Sequence, residues 1–350
     1  MSISLLVYSK SNKIKLSLII MSATFEQVFV HPSQFPDQVY QDYLVSFSGK
    51  QINHKFHYDS VKQSQKWLKI HQEYSPSKND RDCVDTYKKC FQKTAETLDE
   101  FSSLQLIGLG SGGGTKDSLL LSYLSNQRRE LIYYPLDVSL SLAIISAQKA
   151  RNSFPELSIQ PIVCDLLHSD NLMLQIQKRG EQERRIITFF GMIPNFHPQE
   201  IFPILNNFLV EGDLLLLSAN LAPGSDYVQG IEKIMVQYDN NLTKDWLITV
   251  LEDVGVNQEN GSIKFRIKDD EENPDLKRVN ADFELNNDVT FKLDNQLIEW
   301  KSGDKIGLFF SYRYTTAKLQ KILSSYGINM LNYWEAANQE EGVYLCQKSK

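Results

Sequence analysis

Three short groups in this chain have the residue types and spacing to hold a nucleotide-like ligand. The first is Leu106-Ile107-Gly108-Leu109-Gly110-Ser111-Gly112-Gly113-Gly114-Thr115, an apolar run that breaks into glycines. Glycine has no Cβ, so such a bend brings backbone N–H groups close to a ligand. The second is Asp137, which closes the apolar run Leu131–Leu136. An ionised carboxylate there can accept hydrogen bonds from two vicinal ribose hydroxyls. The third is Asp165, closing Ile159–Cys164 and placed to accept from an exocyclic adenine amine. Each has a plainer reading alone: a tight βα turn, a helix N-cap and a loop acid. A nucleotide-type site is favoured because all three fall at successive strand ends in the expected order.

The elements needed to position these groups are legible in the pattern. Leu104–Leu109, Leu131–Leu136, Ile159–Cys164, Arg185–Phe190 and Asp213–Ala219 read as strands. Between them, Lys116–Leu124, Ser139–Ala150 and Pro198–Phe208 have helical periodicity, with Ser139 or Ser141 available as an N-cap. Strands alternating with helices predict an α/β fold with a doubly wound, mostly parallel sheet. After Asn220 the rhythm breaks. Asp226–Tyr238 and Thr243–Glu252 look helical, and Ile263–Ile267, Ala281–Glu284, Val289–Leu293 and Leu297–Trp300 suggest an antiparallel meander. Lys305–Tyr314, a helix Thr316–Tyr326 and a strand Gly342–Gln347 are expected to rejoin the core. Upstream, a helix carries Val84, Tyr87, Phe91, Ala95 and Leu98.

The predicted organisation follows. Residues 1–22 are expected to be disordered or a non-native start, with Met21 as the natural one. Residues 23–100 form the N-terminal part of a substrate lobe, 101–220 the cofactor-binding core, 221–303 the inserted part of the lobe, and 304–350 the completion of the core.

Composition narrows the partners. The chain has 350 residues, 42% hydrophobic and 23% charged, with a net charge of −6 and a pI near 5.6. Without a basic stripe, neither nucleic acid nor an anionic membrane is an expected partner. Four cysteines, at 83, 90, 164 and 346, form no Cys-x-x-Cys pair and read as free thiols of a cytoplasmic protein. A monomer or weak homodimer acting on a small molecule is expected.

The glycine segment satisfies the dinucleotide pattern at Gly108, Gly110 and Gly113, which keeps an NAD-dependent oxidoreductase as an alternative. The Walker pattern fails, because no Gly-Lys-[Ser/Thr] follows at the required spacing. With Thr115-Lys116, the turn more closely resembles the S-adenosylmethionine (SAM) binding turn of class I methyltransferases.

From about Phe56 to Gln347 the chain resembles the histidine-specific Nα-methyltransferases of ergothioneine biosynthesis. The matching segments are Phe56-His57-Tyr58-Asp59, Glu73-Tyr74-Ser75-Pro76-Ser77-Lys78, the glycine turn, Pro135-Leu136-Asp137-Val138-Ser139 and Cys164-Asp165-Leu166. They continue with Phe190-Gly191 through Asn195-Phe196, Gly212-Asp213, Gln237-Tyr238-Asp239-Asn240 with Thr243, and Ser311-Tyr312-Arg313-Tyr314. The resemblance implies a class I (Rossmann-like) methyltransferase fold with a second lobe over the SAM site. It implies cofactor contacts from Gly108, Gly110, Ser111, Gly112, Thr115, Lys116, Asp137, Asp165, Leu166 and Gly191. It places Tyr58 and Tyr74 near the substrate, has Asn195 grip the α-carboxylate or amine, and has Tyr238 hydrogen-bond the carboxylate. Tyr58, Asn195 and Tyr238 are thereby the candidates for catalysis, and Phe309 and Ser311 complete the substrate set.

Two departures bear on the acceptor. The family carries a glutamate two residues before the serine of its C-terminal motif, where it helps hold the substrate side chain; here that place is Phe309. The 191–195 loop is one residue shorter and contains Met192 and Pro194. A benzyl group cannot bond an imidazole, so a more apolar or aromatic amino acid, or a different amine, fits better than histidine. The expected activity is SAM-dependent methylation of a small amine, with a non-catalytic SAM-binding relative as a further alternative.

Overall fold

The computed structural model of the protein describes residues 27–74, 80–125, 130–169, 171–176, 180 and 183–349. The expectation for residues 1–22 lies outside them. In chain order the first strands are β1 (Phe29–Val30), β2 (Ser103–Leu109), β3 (Glu130–Asp137), β4 (Ser158–Ile159), β5 (Ile162–Val163), β6 (Glu183–Phe190) and β7 (Leu214–Asn220). There follow β8 (Gly261–Asp269), β9 (Lys277–Leu285), β10 (Val289–Leu293), β11 (Gln296–Trp300), β12 (Lys305–Arg313), β13 (Ile328–Glu335) and β14 (Glu341–Lys348).

Nine strands form the central sheet, in the order β1-β5-β3-β2-β6-β7-β14-β13, with β4 also paired to β3. All pairs are parallel except those of β14, which runs antiparallel to both β7 and β13. The middle strands read as unbroken apolar runs because helices cover both their faces. Strand order reverses beside β2, which has β3 on one side and β6 on the other. The glycine turn therefore sits at the switch point where open α/β sheets bind ligands. This order, with a last antiparallel strand inserted next to β7, is the class I methyltransferase arrangement.

Three local expectations need correction, and one strand went unread. The run Ile159–Cys164 is not one strand: Pro161, which has no N–H to donate, separates β4 from β5. The Pro161 carbonyl accepts from Phe29 N–H at 2.9 Å and seats β1 on the sheet edge, a strand the sequence pattern did not reveal. The helix Arg81–Thr97 packs on the core rather than in the lobe, burying Cys83, Tyr87 and Phe91 with Leu104, Leu120 and Leu345. Finally, residues 305–313 do not rejoin the central sheet. β12 pairs antiparallel with β9, and the strand before β14 is β13, whose mostly exposed side chains blur its pattern.

The lobe combines the helices Pro36–Ser48, Val61–Tyr74 and Asn241–Glu252 with the three-stranded sheet β12-β9-β8 and the hairpin β10–β11. Its core includes Phe47 stacked on Trp300 with ring centroids 5.9 Å apart, and Trp300 Nε1–H donates to the Phe47 carbonyl at 3.2 Å. β12 is buried on both faces. Phe309 packs into the lobe core, whereas Phe310 and Tyr312 pack against the central sheet's cluster. Alternation along one strand thus joins the two bodies.

Inside the core, Asp213 Oδ2 accepts from Arg185 Nε at 3.0 Å and Nη2 at 2.5 Å, tying β6 to the turn before β7. Both side chains are almost fully buried. Asp213→Ala strips that guanidinium of its counter-ion and is expected to cost about 3–5 kcal/mol, measured as a lower urea midpoint with an unchanged slope.

Candidate functional site

The turn after β2 forms the floor of the site. Gly110, Gly112 and Gly114 have φ of +62°, +55° and +65°, a region that side-chain-bearing residues rarely adopt. A Cβ at Gly110 would lie 2.7 Å from Met192 Sδ, and one at Gly112 would lie 2.9 Å from the Trp67 ring. The turn is therefore pressed between the 191–195 loop and the lobe helix Val61–Tyr74. The Gly112 N–H donates to Asp137 Oδ2 at 2.9 Å, and the Ser139 N–H donates to Oδ1 at 3.0 Å. Asp137 is 6% exposed. Burial pushes its pKa up to about 6, against the backbone donors, which pull it down. With the Val138 N–H as a third backbone donor, the carboxylate still has capacity for a further one. Ser111 Oγ is buried and has no hydrogen-bond partner among the described residues. An orphaned hydroxyl and a carboxylate with spare acceptor capacity at a glycine bend suit the ribose and polar groups of a nucleoside.

A cavity of about 330 Å³ opens above this floor, within the range of small-ligand sites. Gly110, Ser111, Gly112, Thr115, Lys116, Asp137, Asp165, Leu166 and Gly191 all line it. Gly108 does not: its Cα faces the buried Asp117 carboxylate, which a Cβ would strike. Asp117 accepts from Tyr133 Oη at 2.7 Å and Thr188 Oγ1 at 2.8 Å, so Gly108 makes room for an internal network under the floor. Thr115 Oγ1 pairs with Lys149 Nζ at 2.6 Å, and Lys116 Nζ lies 3.3 Å from Glu341 and 4.6 Å from the Tyr87 ring centroid. Gly191, at φ +73°, donates its N–H to Ser218 Oγ at 2.9 Å.

Asp165 carries a partner that sequence reasoning missed. Lys55 Nζ, on the buried turn His54–His57, lies 3.2 Å from Asp165 Oδ2 and 2.5 Å from Asp42 Oδ2. Asp165 Oδ1 also accepts from the Leu167 N–H at 3.1 Å, capping the short helix that starts at Leu166. The lobe is thereby ionically fastened to the third strand end.

Tyr58, Tyr74, Asn195 and Tyr238 line the same cavity. Tyr58 sits among rings, 5.8 Å from Trp67 and 5.5 Å from Trp246 between centroids. Burial, reinforced by the Asp137 charge, raises its pKa and keeps its phenol protonated. Asn195 ends the short helix Ile193–Asn195, and its amide makes no side-chain hydrogen bond among the described residues. Tyr74, at the end of its helix, is 39% exposed.

Phe309 and Ser311 do not line the cavity; each stands one side chain behind it. Phe309 stacks on His54 with centroids 5.0 Å apart, and it is His54 that reaches the cavity. The His54 Nε2 accepts from the Phe310 N–H at 3.2 Å, and burial lowers the His54 pKa to about 3, so the ring is neutral. Ser311 Oγ accepts from Tyr238 Oη at 2.8 Å. The next residue on that strand face, Arg313, is long enough to reach the cavity and was not anticipated as a site residue. Its place two residues beyond Ser311 was the available signal.

The family model described as histidine-specific, SAM-dependent methyltransferase matches residues 39–348. The chain belongs to this family. Its cofactor is therefore S-adenosylmethionine, and the NAD alternative falls away. Among curated relatives, it is 25% identical over 279 residues to the N-methyltransferase imqF of Aspergillus flavus, covering 78% of this chain and 73% of that one. It is 21% identical over 246 residues to the N-methyltransferase fsqC of Aspergillus fumigatus, covering 68% of this chain and 64% of that one. Among solved structures, the magnesium protoporphyrin IX methyltransferase of Synechocystis PCC 6803 aligns with a TM-score of 0.43 and 12% identity, covering 85% of this chain and 98% of that one. At these values the solved structure carries no argument, and the fold rests on sheet order and the family match. No helix of the described residues is long and apolar enough to cross a membrane.

Gly112→Ala places a Cβ at an unfavourable φ and against Trp67. It is expected to lower the melting temperature and weaken binding of S-adenosylhomocysteine at least tenfold by calorimetry, a loss of about 1.4 kcal/mol or more.

Proposed function

We propose that this methyltransferase transfers a methyl group from SAM to the amine nitrogen of a small amino acid or amino-acid derivative with an apolar or aromatic side chain. One observation carries the reading. The glycine turn with Asp137 and Asp165, and the polar set Tyr58, Asn195 and Tyr238, border one cavity. Both curated relatives named above are N-methyltransferases, which supports nitrogen as the acceptor. Phe309, at the place of the family's carboxylate, stacks behind the neutral His54 ring that borders the cavity, which supports an apolar or aromatic partner.

In this reading the turn amides and Ser111 hold the polar end of SAM, Asp137 takes the ribose hydroxyls, and Asp165 with Leu166 borders the adenine. When bound, SAM supplies an electrophilic methyl whose sulfonium leaves as a neutral thioether. The residues above it align the acceptor lone pair with the methyl–sulfur axis and exclude water. Asn195 has an uncommitted amide for the acceptor's amine or carboxylate. Tyr58, held as a protonated phenol, orients and does not serve as a base. The acceptor must be the neutral amine when it reacts, because an ammonium has no lone pair to attack with.

Incubation of the protein with isotopically labelled SAM and L-phenylalanine, L-tyrosine, L-tryptophan or L-histidine tests this directly. Mass spectrometry is expected to place a labelled methyl on nitrogen of at least one of the first three, with histidine the poorer acceptor. Preferred methylation of histidine overturns the side-chain assignment, and methyl on oxygen overturns the nitrogen assignment.

The ribose contact has its own pH signature. A raised Asp137 pKa means that the carboxyl in the free site takes up a proton as pH falls through about 6. Only the ionised form accepts from both ribose hydroxyls, so S-adenosylhomocysteine affinity is expected to fall below about pH 6 and to level off above it. Asp137→Asn removes this dependence and weakens binding by about 10–150-fold, the equivalent of about 1.5–3 kcal/mol.

A further inference from the structure

We propose that Arg313 is the counter-ion for a carboxylate on the methyl acceptor, so that the enzyme selects acids over the corresponding decarboxylated amines; this rests on the amine-methylation reading above and narrows its substrate. Arg313 is 3% exposed, yet it borders the cavity. All its hydrogen bonds run to neutral groups. Nε and Nη2 donate to Tyr238 Oη at 3.1 and 2.9 Å, Nη1 donates to the Leu221 carbonyl at 3.1 Å, and Nη2 donates to Gln237 Oε1 at 3.3 Å. The acid adjoining this network, Glu340, meets Gln237 Nε2 at 2.8 Å, and among the described residues no carboxylate pairs with the guanidinium. The other extensively buried cations among the described residues are treated differently. Arg185 has Asp213, and Lys55 has Asp42 and Asp165.

A guanidinium withdrawn from water without an anion is unfavourable, and its charge is permanent. The simplest compensation is a carboxylate brought by the ligand, which a planar fork of N–H donors grips well. Of its five N–H groups, one on Nη1 has no acceptor in the structure. Asn195 and Asn220 line the same cavity and are suitable neutral partners for the second carboxylate oxygen.

SAM also carries a carboxylate, and position separates the two sources. Arg313 bonds to Leu221 just beyond β7, two strands across from β2 and its glycine turn. Two inter-strand spacings make about 9–10 Å. Lys116 lies nearer the turn and Gly191. Arg313 therefore stands on the acceptor side.

The test pairs L-phenylalanine, L-tyrosine, L-tryptophan and L-histidine each with its decarboxylated amine and follows methyl transfer from labelled SAM. In the native enzyme, kcat/KM for the preferred amino acid is expected to exceed that of its amine about 100-fold or more. Arg313→Met should close this gap by slowing the amino acid alone, Arg313→Lys should restore part of it, and S-adenosylhomocysteine affinity should stay unchanged in both. Equal rates for acid and amine in the native enzyme overturn the inference while leaving amine methylation intact. So does a gap that survives in Arg313→Met, or a loss confined to S-adenosylhomocysteine binding, which would assign the guanidinium to the cofactor. If none of the acids or amines is methylated, the proposed function falls and this inference falls with it. Where the variants fail to fold, the acid–amine comparison in the native enzyme decides alone.

Discussion

The two faces of β12 govern how the rest of the molecule is put together. Phe310 and Tyr312 on one side belong to the core of the central sheet, and Phe309 on the other belongs to the lobe. Because apolar side chains on both faces are packed, a shift of the lobe would expose apolar surface on one side or the other. The strand ends at Arg313, beside the carboxyl end of β7. The same packing that unites the two bodies therefore brings Arg313 to the cavity that the glycine turn also borders.

Besides the Arg185–Asp213 pair in the core, several buried charges border the cavity. Asp165 is joined to the lobe through Lys55, which also holds Asp42. Lys116 reaches Glu341, whose carboxylate also accepts from Tyr87. Among the described residues, Asp137 has backbone donors and no cation, and Arg313 has neutral acceptors and no anion. The first arrangement suits a neutral diol and the second suits an acid. Between them lie neutral aromatic and amide side chains, an environment in which an amine can lose its charge and present a lone pair.

Behind the cavity wall, Phe309 departs from the family pattern while the frame of the site is kept. Phe309 does not simply occupy the space of a carboxylate. It stacks on His54, and the imidazole of the protein itself then borders the cavity as a neutral ring. Trp246 meets Phe309 edge-on and donates its Nε1–H to the His57 carbonyl at 2.8 Å, so the turn that carries His54 and Lys55 is braced by the same cluster.

What the sequence determined by itself was local. Apolar runs ending in glycine or aspartate, the Ser139 cap and the helix Pro198–Phe208 arise from steric freedom, hydrogen-bonding capacity and periodicity within a few residues of one another. These sufficed for the parallel sheet, the switch-point turn and the two strand-end acids. Pairing and partnership were decided only by the tertiary structure. β12 and β13 were confused because an apolar run records burial without naming the sheet that buries it, and the exposed edge strand looked too polar to be one. Gly108 matched a ligand pattern, yet the fold gives its missing Cβ to Asp117. Lys55 and Arg313 look like ordinary basic residues in a linear reading. Their meaning depends on which charges lie within a few ångströms, and residues such as Lys55 and Asp165, 110 positions apart, meet only when the chain has closed.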